Sequence, residues 1–78
     1  MRTITFDYNG HRLTARAYCN FNGITDLIVV IPQENKYFKE TILLFKEGGK
    51  WVADLLLVKN YPATVRSLIR TLQNSLGI

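Results

Sequence analysis

The stretch Ile4-Thr5-Phe6-Asp7-Tyr8-Asn9-Gly10-His11-Arg12-Leu13-Thr14-Ala15 decides the fold. Asn-Gly is the dipeptide that best tolerates the positive φ required at both centres of a type I′ hairpin turn, and the flanking residues alternate between apolar and polar. A two-residue turn at Asn9-Gly10 sets Tyr8 opposite His11, Asp7 opposite Arg12, Phe6 opposite Leu13, Thr5 opposite Thr14 and Ile4 opposite Ala15. Apolar then meets apolar, Thr meets Thr and an acid meets a base, whereas a slip of one residue would mix the faces.

Thirteen residues on, Asn22-Gly23 repeats the signal. The same turn rule pairs Phe21 with Ile24, Asn20 with Thr25, Cys19 with Asp26, Tyr18 with Leu27, Ala17 with Ile28, Arg16 with Val29 and Ala15 with Val30. Only Asp26 beside Cys19 is discordant. Joining the two ladders gives a core face of Ile4, Phe6, Leu13, Ala15, Ala17, Phe21, Ile24, Ile28 and Val30. The second face carries Thr3, Thr5, Asp7, Arg12, Thr14, Arg16 and Tyr18, then turns apolar at Leu27, Val29 and Ile31.

Pro32 removes an amide donor and ends the third strand, and Gln33 to Lys36 read as a polar connection. The β-rich run Thr41-Ile42-Leu43-Leu44-Phe45 returns through Gly48-Gly49 to Trp51-Val52-Ala53, with Glu47 facing Lys50 and Phe45 facing Val52. The segment from Ala53 to Leu57 consists of good helix formers, and so short an apolar run does not settle its own period. Val65, Leu68, Ile69, Leu72 and Leu76 form one apolar stripe at helical spacing. Pro62 suits the first turn of that helix, and Gly77-Ile78 reads as a Schellman stop. The expectation is an α+β domain spanning residues 1–78. An antiparallel five-stranded meander (2–8, 11–20, 24–31, 40–46 and 50–57) is followed by one C-terminal helix (62–76) packed on one face.

Composition narrows the function classes. Seventy-eight residues make one domain with a small core. A lone Cys19 closes no intrachain disulfide, and one Cys with one His, His11, builds no four-ligand zinc site. No cofactor or metal site is expected. The N-terminal segment alternates rather than presenting the apolar region of a secretory signal, and no run approaches membrane-spanning length, so a cytoplasmic protein without membrane contact is expected. The formal charge is +4, and after Asp54 the chain carries Lys59, Arg66 and Arg70 with no acid.

Nothing assembles a catalytic group. His11 flanks a tight turn without a placed nucleophile, and Cys19 is expected in the core as a small hydrophobe. Asp26 and Asp54 could act as an acid/base pair only if the fold brought them together; otherwise Asp26 caps loop amides around Phe21 to Gly23. Gly48-Gly49 is too short for a phosphate cradle. No catalytic residue is assigned.

Two surfaces remain. Arg12, Arg16 and Tyr18 project together at period two, and Arg66 and Arg70 lie one helical turn apart, a combination that would support weak, sequence-tolerant nucleic-acid binding. The apolar residues of the second face carry the leading expectation. One helix of about 15 residues is roughly 22 Å long and 10 Å wide, against a sheet about 24 Å wide, so it covers one face only in part. Leu27, Val29 and Ile31, with Tyr18, Tyr37 and Phe38, are therefore expected to form a protein interface, with a second copy of the chain as the cheapest cover. The alternative is a lid, with Tyr37 and Phe38 folding over these residues. A non-enzymatic, self-associating interaction module is the function expected first, nucleic-acid binding second, and a small enzyme last.

Overall fold

Asn9 adopts φ 48° and Gly10 φ 84°, the two positive values a type I′ turn demands. In the computed structural model, which describes all 78 residues, this turn joins strand β1 (Arg2–Tyr8) to β2 (His11–Phe21) in the register read from the sequence. Strands β3 (Asp26–Pro32), β4 (Ile42–Glu47) and β5 (Lys50–Ala53) follow, and the five pair antiparallel in the order β1-β2-β3-β4-β5. The fold class is α+β as expected, with one curled sheet.

The second hairpin is built differently from the first. Asn22 keeps a negative φ, so Asn22-Gly23 is not a type I′ pair. Instead the Asn22 side-chain oxygen accepts from the amides of Ile24 (2.9 Å) and Thr25 (2.7 Å), holding a four-residue loop over 22–25. Strand β2 consequently runs on through Phe21, and β3 starts at Asp26 rather than at residue 24. The register moves by two: Tyr18 faces Val29, Ala17 faces Val30, Cys19 faces Ile28 and Phe21 faces Asp26. An even shift preserves the faces, so Ala15, Ala17, Ile28 and Val30 are buried together. Ile24 is expelled to 94 % exposure, and Phe21 and Cys19 are exposed as well, correcting their expected place in the core. Phe21 retains one aromatic neighbour, Trp51, at 5.8 Å between ring centres.

Strand β4 begins at Ile42 rather than residue 40, and its turn gives the expected Glu47–Lys50 and Phe45–Val52 pairs. Strand β5 stops at Ala53, which corrects the expected strand to residue 57. Asp54 Oδ1 accepts the Leu56 amide at 2.9 Å and caps helix α1 (Leu55–Asn60). The good helix formers take the helical option once a cap is available, so there are two helices rather than one. Helix α2 (Pro62–Leu76) starts at the proline. It ends at Gly77, φ 68°, through one bond from the Gly77 amide to the Gln73 carbonyl, the simpler left-handed cap rather than a Schellman pair.

The core lies between the inner sheet face and α2, where Val65, Leu68 and Leu72 meet Ile4, Phe6, Ile28, Val30, Ile42 and Leu44. Helix α2 lies along β1 and occupies that edge: the Asp7 amide donates to Ser67 Oγ at 3.1 Å, and Arg2 donates to the Ser75 carbonyl at 3.0 Å. The connection from β3 to β4 is organised by Asn35. Its amide oxygen accepts from the amides of Tyr37 and Phe38, while its NH₂ donates to the carbonyls of Gln33 and Phe38. Phe38 is thereby turned into the core, 3 % exposed, against Phe6, Tyr8 and Tyr61.

Candidate interaction surface

Alternation along the five strands builds the second face in rows. Thr3, Arg16 and Ile31 form one; Tyr18, Val29 and Leu43 the next; Asn20, Leu27, Phe45 and Val52 the third. Ile31 and Leu43 are each 44 % exposed and Tyr18 40 %. Leu27, Val29, Phe45 and Val52 are half-buried. Leu27, Val29, Ile31 and Tyr18 thus stand where the sequence places them, on one surface. Tyr37 and Phe38 do not join them. Phe38 fills the core, and the Tyr37 ring stacks on His11 with centres 3.8 Å apart. The connection therefore supplies no lid for Ile31.

Leu43, Phe45 and Val52 extend the apolar rows and are missed in the sequence reading, although they follow from it. Once Ile42 and Leu44 point inward beside β3, Leu43 and Phe45 must point outward. Helix α1 adds Leu55 and Leu56, the latter 68 % exposed, at the rim. Beyond the end of the four-residue β5, residues of α1 and β4 line the two sides of one opening. Between them lies an open cleft of about 480 Å³ lined by Glu40, Leu43, Phe45, Asp54, Leu56 and Tyr61 among others, with no Lys or Arg in its wall. A neighbouring hollow of about 440 Å³ continues along Phe45, Val52 and Leu55.

The basic groups are carried by two elements, β2 and α2. Arg12 stands opposite Asp7 and donates to Thr5 Oγ1 at 3.4 Å. Arg16 lies between Thr3 and Ile31, neither of them acidic. Arg66 and Arg70 are exposed on α2, the helix that lies along β1, whereas Arg12 and Arg16 stand on β2.

The polar candidates are dispersed. Asp26 does not line the cleft that holds Asp54, and one oxygen of each has a different fate. Asp54 Oδ1 caps α1, whereas Asp26 Oδ1 is buried without a hydrogen-bond partner. Asn22, not Asp26, caps the loop amides. No group of three or more His, Cys, Asp or Glu side chains converges, and no helix is long and apolar enough to cross a membrane. What the arrangement offers chemically is contact: an apolar field with an arginine on one flank and two carboxylates on the other. No family model matches this chain, and no significant match is found among curated proteins or solved structures.

Proposed function

We propose that this chain is a small protein-interaction module that self-associates through the second face of its sheet. The observation that carries the proposal is the uncovered apolar field of Tyr18, Ile31 and Leu43 over half-buried Leu27, Val29, Phe45 and Val52, in a domain whose buried apolar core numbers 15 residues. A monomer this small gains proportionately little from its own core, and a second copy placed on an apolar face extends that core at no cost in extra sequence. The edges support a face rather than strand addition. Helix α2 occupies the edge of β1, and β5 offers only four residues at the other.

Sedimentation equilibrium of the native chain and of Leu43→Lys tests this. The native chain is expected to dimerise reversibly. Leu43→Lys, at a site open to water in the monomer, is expected to keep the native circular dichroism spectrum and weaken the dimer at least tenfold, because association would desolvate a charge. A native chain that stays monomeric at millimolar concentration refutes the proposal.

A further inference from the structure

We infer that the two copies stack with their two-fold axis along β3, so that Arg16 of each copy enters the Glu40 and Asp54 cleft of the other; this rests on the self-association proposed above. On the outer face β3 is central, with β2 on one side and β4 on the other. The β2 flank carries a cation without an acidic neighbour on its rung, Arg16 between Thr3 and Ile31. The cleft on the β4 flank is lined by two carboxylates and by no Lys or Arg, in a chain whose formal charge is +4. Face-to-face packing of identical sheets leaves two simple choices of axis. An axis across the strands lays β2 on β2 and the acidic flank on itself, so Arg16 meets no carboxylate. An axis along the strands lays β2 on β4 and β4 on β2, matching the charges twice.

Position along the strands agrees with the second choice. Arg16 shares a rung with Ile31, and Val30 faces Ile42, so the level of Arg16 meets β4 beside residue 41, next to Glu40. A rotation about an axis along the strands preserves that level. The two groups are offset by about one residue, roughly 3.4 Å, within the reach of an arginine side chain. The angle of about 30° between aligned sheets displaces strands one step from the axis by only about 2–3 Å. The same operation lays Tyr18 over the Leu43 level of the second copy, keeping the apolar rows in contact. Arg12 is the weaker candidate for the cleft because it has an acid, Asp7, opposite it on its own rung and donates to Thr5 Oγ1.

A complementary charge reversal tests the pairing. Arg16→Glu and Glu40→Arg both change exposed side chains. Each variant alone places like charges together at two symmetric sites and is expected to weaken the dimer tenfold or more by sedimentation equilibrium at low salt. Mixed in equal amounts, the two variants form opposite-charge contacts at both sites, and association is expected to return to within about threefold of native. A native dimer that neither variant weakens, or that the mixture fails to restore, overturns this arrangement and leaves self-association standing. A native chain that never dimerises overturns both.

Discussion

Asp26 carries the one buried side-chain oxygen that lacks a hydrogen-bond partner. It opens β3 on the inward-pointing parity, opposite Phe21, and its Oδ1 is buried with no donor. An unsatisfied buried acceptor costs about 1–3 kcal/mol. Asn35 shows the contrasting case, since both ends of its amide are engaged with backbone groups of one short connection. Valine suits the Asp26 position because it is β-branched, similar in size and without polar atoms. Asp26→Val is therefore expected to stabilise the domain by about 1 kcal/mol, which raises the unfolding midpoint by about 4–8 °C for a domain of this size. Thermal denaturation followed by circular dichroism measures it. A lowered midpoint would mean that the carboxylate is satisfied and supports the loop.

Between elements, the hairpins separate what a sequence makes legible from what it leaves open. Face parity is legible because alternation survives any even shift in register, so the Ala15, Ala17, Ile28 and Val30 core stands although the second ladder moves by two residues. Loop length is not legible, because Asn-Gly can either turn through positive φ or cap amides with the asparagine side chain, as Asn9 and Asn22 respectively do. The end of β5 is likewise open until Asp54 is seen to cap α1. The candidate surface is half legible: Leu27, Val29 and Ile31 follow from the first three strands, while Leu43 and Phe45 need the β3–β4 register as well. The four-residue loop yields a direct test. Deleting Ile24 and Thr25 leaves Phe21-Asn22-Gly23-Asp26, a two-residue connection that keeps Phe21 opposite Asp26. The shortened hairpin is expected to retain the fold with stability equal to native or up to about 0.6 kcal/mol higher, since halving the loop lowers its closure entropy. Cross-strand nuclear Overhauser contacts between Tyr18 and Val29 report the register, and their loss would show that Asn22 cannot take positive φ in this setting.

For the whole molecule, area and shape point the same way. The chain exposes 5324 Å², about a tenth more than the roughly 4,900 Å² typical of a folded monomer of its mass. Its backbone extends 36 × 26 × 19 Å, the proportions of a slab. A sheet covered on one side is such a slab, and stacking two of them turns the open face of each into the centre of a thicker body. A standard interface takes about 800 Å² from each partner, about 15 % of the surface here. If folding and association are linked in this way, the stability of each chain must depend on how many others are present. Each tenfold rise in concentration adds about 1.4 kcal/mol per dimer, or about 0.7 kcal/mol per chain. For a domain of this size that shifts the unfolding midpoint by about 3–5 °C. Calorimetric scans between 5 and 500 μM, chosen as roughly a hundredfold span, are expected to move by about 6–10 °C in total. Leu43→Lys should flatten this dependence while leaving the dilute-limit midpoint close to native, because the side chain it replaces is open to water in the single chain. A native midpoint that does not move with concentration would mean that the inner core and its helix hold the chain unaided, and that the apolar rows of the outer face serve something other than a second copy.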